Sequence, residues 1–264
     1  MISGLHVFDR VKSILMQEVD WTSGYTQDNN KKLQKLYQHW AKDYDEEMPK
    51  IRYGYIEPMT KTFTKIGIQL DAKILDAACG TGYPTMTLHE MGYRDLHGID
   101  FSTEMIEEAE KKNIYKSLTI GNLINPIDFA TDTFDVVLCM AFFAGGYMGP
   151  EPIDELLRIT KPQGRLISSI GVRIFERDGF DKKLQQLQDN NKIEIEYKSE
   201  PFQSDTNYVF SLPNSEDGML DYVEGPDQTL FWRPRRYSRT QECGKPSQKR
   251  RLLDQHVIFS IRKL

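Results

Sequence analysis

The segment Lys73–Gly82 (KILDAACGTG) constrains this chain more than any other. A short apolar run ends in an acid, Asp76. A small residue, Ala78, and two glycines, Gly80 and Gly82, follow, and Pro84 then opens a helical stretch at the turn where its missing N–H costs nothing. The pattern reads strand, glycine-rich turn, helix. A dinucleotide-binding turn requires G-x-G-x-x-G/A, with a small last residue packing helix on strand. If Gly80 and Gly82 are the first two, the third falls at Thr85, which is too large. If Ala78 is the first, the loop is small-x-Gly-x-Gly led by an acid.

The acid separates two ligand classes. A pyrophosphate seeks bare helix N–H groups and no nearby anion. S-adenosylmethionine carries a sulfonium, an ammonium and a carboxylate, and no phosphate. Asp76 repels the first ligand and attracts the second. Gly80 and Gly82 let the backbone approach such a ligand with no Cβ in the way. Asp100 ends the next apolar segment, DLHGID, where an acid accepts both hydroxyls of an adenosine ribose. Phe101 follows it, placed either against an adenine face or as the staple residue of the next helix.

Around this loop the chain alternates. Strands are expected at Lys73–Ala78, Asp95–Asp100, Ser117–Leu123, Phe134–Ala141, Arg165–Val172 and Lys192–Lys198. Helices are expected at Pro84–Met91, Thr103–Lys112 capped by Ser102, Ile153–Thr160 stopped by Lys161-Pro162-Gln163-Gly164, and Phe180–Asn190. Such alternation implies a doubly wound, mostly parallel α/β sheet, with its ligand beyond the carboxyl ends of the central strands. A seventh strand is expected from either Asn207–Leu212 or His256–Arg262, which resemble each other. Upstream, Val7–Val19, Asn30–Met48 and Ile56–Ile66 have helical spacing, and Thr22–Asn30 reads as a polar linker. The expected organisation is therefore an N-terminal helix and linker (1–30), the α/β domain (31–212), a polar flexible insertion (213–254) and a terminal strand (255–264).

Bulk properties narrow the function. The net charge of −5 gives no general pull toward nucleic acid. The insertion does hold a basic run, Arg233, Arg235, Arg236, Arg239, Lys245, Lys249, Arg250 and Arg251 against Glu242, read as a solvated loop. No apolar run reaches membrane-spanning length. Cys79, Cys139 and Cys243 are odd in number and widely spaced, with no CxxC pair. That argues against a disulfide framework or a zinc site and for a reducing cytoplasmic or nuclear setting.

ILDAACGTG, HGIDFSTEMIEEA, TFDVVL and KPQGRL, in that order, resemble the successive motifs of class I S-adenosylmethionine-dependent methyltransferases. With LYQHWAKDYDEEM upstream, the order is similar to that of the Williams–Beuren-region methyltransferase-like proteins; the likeness covers roughly Asn30–Phe210. The resemblance implies the Rossmann-like class I fold and S-adenosyl-L-methionine as cofactor. It implies that Asp76, Ala78, Gly80 and Gly82 form the methionine-side loop and that Asp100 holds the ribose beside Phe101. It sets Asn122 and Leu123 at the adenine, and Met140, within Cys139–Ala141, beneath the methionine. Tyr44, with Tyr37 and Trp40, belongs to the segment that covers the cofactor. Two departures stand out. Asn122 replaces an Asp found in many relatives, and Ala78 replaces a glycine.

Methyl transfer from a sulfonium is an in-line displacement, so the protein chiefly aligns the acceptor and excludes water. The expected acceptor is a small molecule or a protein. Met140–Met148 (MAFFAGGYM) lies where it would approach, without the Asn-Pro-Pro-Tyr motif of many amide and exocyclic-amine methyltransferases. No general base stands out. His39 and His89 fall on helices and His97 in a strand, while Tyr44 and Tyr147 are candidate pocket hydroxyls.

Overall fold

The computed structural model describes residues 10–20, 24–49, 54–144, 148–204, 220–224, 230–234 and 255–264. Three helices lead: α1 (Arg10–Glu18), α2 (Gln27–Glu47) and α3 (Ile56–Ile66). The alternating part then runs β1 (Ile74–Ala77), α4 (Thr85–Glu90), β2 (Leu96–Asp100), α5 (Thr103–Lys111), β3 (Ser117–Ile120), β4 (Phe134–Phe143), α6 (Pro152–Ile159), β5 (Thr160–Gly171), α7 (Val172–Arg177), α8 (Phe180–Asp189), β6 (Ile193–Lys198) and β7 (Phe202–Gln203). Strands β8 (Leu220–Glu224), β9 (Leu230–Pro234) and β10 (Gln255–Lys263) close the chain.

The main sheet orders its strands β3-β2-β1-β4-β5-β10-β6, with the short β7 paired to β10. From β3 to β5 every pairing is parallel, and β10 enters antiparallel between β5 and β6. This is the doubly wound, mostly parallel α/β sheet that the alternation implies. Its order reverses between β1 and β4, which opens a crevice at their carboxyl ends. β1 is buried along its whole length, as a parallel strand covered on both faces must be.

The C-terminal strand is now assigned. His256–Arg262 lies inside β10, buried from His256 to Ile261, and Phe259 stands opposite Ser168 of β5. Asn207–Leu212, the other candidate, lies outside the described residues. The segment read as a flexible insertion contains a two-stranded antiparallel ladder, β8 with β9, in which Tyr222 pairs with Trp232. Its β-branched and aromatic residues flank Gly225-Pro226, a turn signal that the polarity of the surrounding segment obscures. The rest of the insertion, with most of the basic run, lies outside the described residues.

Other boundaries shift for local reasons. α2 begins at Gln27 rather than Asn30, because Thr26 caps it by accepting from the Asn29 N–H at 3.1 Å. Part of the expected polar linker is thus helix. Lys161–Gly164 does not separate helix from strand; it bulges out within β5, where the pairing jumps from Phe134↔Thr160 to Val136↔Arg165. Gln163 takes φ +63° there. Helix α7, for which the sequence reading had no element, turns off β5 directly at Gly171.

Candidate functional site

The site grows out of the end of β1. After Ala77 the backbone turns through Ala78 at φ +62° and Gly80 at φ +53°. The turn is held to β2 by two bonds: the Cys79 N–H donates to the Ile99 carbonyl at 3.0 Å, and the Gly80 N–H donates to Asp100 Oδ2 at 2.8 Å. Asp100 Oδ1 accepts the Ser102 N–H at 2.9 Å, and the Ser102 hydroxyl caps α5 by accepting from the Met105 N–H. One carboxylate therefore ties the glycine loop to the start of the next helix. Asp76, on β1, accepts at Oδ2 from the Thr85 hydroxyl at 2.5 Å and from the Tyr115 hydroxyl at 2.7 Å.

These residues border an open cleft. Asp76, Ala78, Gly80, Asp100, Phe101, Asn122, Leu123, Met140 and Tyr44, all marked in the sequence, line it. Gly82 is not in its wall. At φ +77° its Cα abuts Tyr115, and a Cβ there would lie 2.8 Å from Cε2 of that ring. At Gly80 a Cβ would meet nothing within 4 Å, so the space beside it is open.

The lining of the cleft combines buried charge with apolar surface. Asp76 and Asp100 are its described carboxylates, and burial raises both to a pKa of about 6. No described lysine, arginine, histidine or glutamate lines it. Two buried carboxylates with no cation among the lining residues fit a ligand that brings its own positive charge. Met140, Ala141, Phe142 and Met148 give the cleft an apolar wall as well. β4 reaches it through a kink at Ala141, φ +59°, where the Ala141 N–H donates to Ser169 Oγ at 2.8 Å. Asn122 accepts the Ile124 N–H at Oδ1, 3.3 Å, which leaves its amide group available to the cleft.

Helix α2 roofs the site. Asn30, Tyr37 and Tyr44 all line the cleft. They recur every seven residues, so they share one helix face. Tyr37 crosses Phe101 edge-on at 6.0 Å; burial, and then the charge of Asp100, push its hydroxyl to a pKa of about 12. Asn30 was missed in the sequence although the heptad through Tyr37 and Tyr44 points to it. Cys79, Pro84, Met105 and Gly121 also line the cleft and carried no separate signal. Trp40 instead turns into the core, donating its indole N–H to Glu47 at 2.6 Å. Asp45 of α2 accepts the Thr81 hydroxyl at 2.5 Å and pairs with Lys112, and Lys112 donates to the Thr81 carbonyl at 2.7 Å. Roof, loop and α5 are latched together at that point.

The described histidines stand apart from the cleft. His97 is bound to Ser117 and Asp95, and His256 lies buried against Tyr55, where burial lowers its pKa to about 4. Tyr147 lies outside the described residues.

A reversal of strand order at an acid-led glycine turn, with a second acid ending the neighbouring strand, defines a Rossmann-like methyltransferase fold. The chain belongs to the methyltransferase domain family, whose model matches residues 68–221. It is 35% identical over 136 residues to human methyltransferase-like protein 27, covering 50% of this chain and 55% of that protein. It is 28% identical over 157 residues to a Lactococcus lactis demethylmenaquinone methyltransferase, covering 56% and 61%. The chain thus spans about half the length of the curated relatives it matches. A chain from the complex between the Haloferax volcanii Trm112 methyltransferase activator and a methyltransferase superposes with a TM-score of 0.54 at 14% identity, covering 86% of this chain and 96% of that one. That likeness is one of fold. No helix among the described residues is long and apolar enough to cross a membrane.

Proposed function

We propose that this chain transfers a methyl group from S-adenosyl-L-methionine to an acceptor that enters along the apolar wall of the cleft. The observation that carries this reading is the pair Asp76 and Asp100, two buried carboxylates on adjacent strands facing one space. When bound, the cofactor supplies a methyl group activated on a sulfonium. The chain supplies everything else. Asp100 would hold the ribose hydroxyls and Asp76 the cationic methionine end. Asn122 and Leu123 would border the base, and the open side of Gly80 would admit the ligand to the backbone. Tyr37 and Tyr44 shield the site from water.

The described lining holds no histidine, lysine or glutamate, and with its two carboxylates engaged by the cofactor this favours an acceptor that is nucleophilic without a strong protein base. The wall of Met140, Ala141, Phe142 and Met148 favours a small apolar acceptor over a protein side chain. Relatives named demethylmenaquinone methyltransferase support that direction. The free, buried Cys79 and Cys139 suit a reducing compartment such as the cytoplasm or nucleus.

Titration calorimetry with S-adenosylmethionine and S-adenosylhomocysteine is expected to give micromolar affinity. Radiolabelled methyl transfer into lysate fractions is expected to label a small-molecule fraction. Absence of cofactor binding to folded protein would end the proposal. Binding without transfer to any fraction would support a second reading, a cofactor-binding protein that does no chemistry.

The latch gives a kinetic expectation. Asp45→Asn weakens a half-exposed contact worth about 1 kcal/mol, so cofactor affinity should fall roughly fivefold, mostly through faster release. Stopped-flow displacement at low and high salt checks it: the wild type should move toward the variant as salt rises.

A further inference from the structure

Gly82 belongs to the glycine-rich loop but not to the wall of the cleft, and Tyr115 explains why. Tyr115 precedes β3, and its ring passes under the loop. A Cβ on Gly82 would stand 2.8 Å from its Cε2 and 2.9 Å from its hydroxyl oxygen. With that space clear, the hydroxyl reaches Asp76 and donates to Oδ2 at 2.7 Å. The Thr85 hydroxyl, from the first turn of α4, donates to the same oxygen at 2.5 Å. Both donors thus converge on one oxygen of a carboxylate that lines the cleft.

We propose that Tyr115 and Thr85 are positioning residues that fix the Asp76 carboxylate in its charged form with Oδ1 turned to the cofactor, and that Gly82 is a glycine to admit Tyr115. This rests on the S-adenosylmethionine reading above. It reassigns one glycine of the loop from cofactor approach to support of a charged group, and it adds Tyr115, which no motif marks.

Burial disfavours a charged Asp76, and the neighbouring charge of Asp100 on β2 adds to this. The two hydroxyl donors oppose it. The other titratable groups around it are the thiols of Cys79, on the loop, and Cys139, on β4, both raised far above the usual thiol range by burial, with the charge of Asp76 adding to it. They stay neutral and do not compete. Removing one donor therefore moves Asp76 toward its protonated form at neutral pH, and a neutral carboxyl does not attract a cationic ligand.

The test is the pH dependence of S-adenosylmethionine affinity, measured by calorimetry from pH 5.5 to 8.5 in the full chain. In the wild type, affinity is expected to be present above about pH 6 and to fall below it. In Tyr115→Phe, which keeps the ring, the midpoint of that fall should move up by about one unit, with roughly twofold weaker binding at pH 7. Thr85→Val should shift it in the same direction. Tyr93→Phe is the control for loss of a tyrosine hydroxyl: that group donates to the Ile68 carbonyl at 3.0 Å, away from the cleft, and should leave the midpoint in place. A Tyr115→Phe profile that overlays the wild type, with binding intact, overturns the inference and leaves the proposed function standing. No binding by the wild type at any pH overturns both. If Tyr115→Phe fails to fold, the Thr85→Val profile decides.

Discussion

Asp100→Ala is expected to weaken S-adenosylmethionine binding at least a hundredfold. An ionised carboxylate offers about four lone-pair sites. They are shared among the N–H groups of Gly80 and Ser102, at 2.8 and 2.9 Å, and that of Phe101. The remaining capacity faces the cleft, where a pair of vicinal hydroxyls would fill it. A hydrogen bond to a charged group contributes about 1.5–3 kcal/mol, so losing two costs about 3 kcal/mol or more in affinity. The substitution also frees the Gly80 end of the loop, so the effect exceeds the lost contacts alone. Asp100→Asn should fall between, because its amide has a single acceptor oxygen. Both carboxyls of the cleft are raised to about 6 by burial. For an acid so raised, the charge is present above that pH and lost below it, so affinity in the wild type should be higher at pH 7.5 than at pH 5. Calorimetry on the three proteins at both values checks the set. Binding by Asp100→Ala within threefold of the wild type would place the ribose elsewhere.

The legible part of this molecule is local. Asp76, Ala78, Gly80 and Asp100 could be read because a turn between a buried strand and a helix leaves few residue choices. Each is marked by its immediate neighbours in the chain. Ser102 was readable for the same reason: its hydroxyl completes a cap within three residues. What stayed hidden depends on distant segments meeting. Tyr115 reaches Asp76 across 39 positions, and Asp45 reaches Thr81 across 36. Nothing near Tyr115 or Asp45 in the chain announces the partner. The choice of β10 as the inserted strand was open for a related reason. Asn207–Leu212 and His256–Arg262 have the same local pattern, and pairing with β5 and β6 separates them. Gly82 is a different case: besides its positive φ, a Cβ there would meet the ring of Tyr115, a side chain from beyond α5 that nothing in the loop announces.

Glu47→Ala should produce a large loss of stability in the roof. Glu47 ends α2, is 7% exposed, and accepts from the Trp40 indole at 2.6 Å and from Lys12 of α1 at 2.7 Å. Lys12 is itself 1% exposed and also reaches Asp43 at 2.7 Å. Truncating one partner of a buried ion pair costs about 3–5 kcal/mol, because the remaining charge stays desolvated. Asp43 moderates this by retaining one bond to Lys12, which places the expectation near the lower end, about 3 kcal/mol. In a chain of this size that is a fall in Tm of roughly 6–12 °C. Asp43→Asn separates burial from charge. Its side chain is 52% exposed, so the same lysine contact contributes little there, about 1 kcal/mol or less. Glu47→Gln keeps an acceptor for Trp40 and loses the ion pair, and should fall between the two. The functional consequence follows from the helix that Glu47 anchors. Tyr37 and Tyr44 stand on α2 above the carboxylates. A loosened α1–α2 pair should therefore weaken cofactor binding as well, and saturating S-adenosylhomocysteine should recover part of the lost Tm. If Glu47→Ala and Asp43→Asn lower Tm equally, the buried half of the network carries no more of the stability than its exposed half.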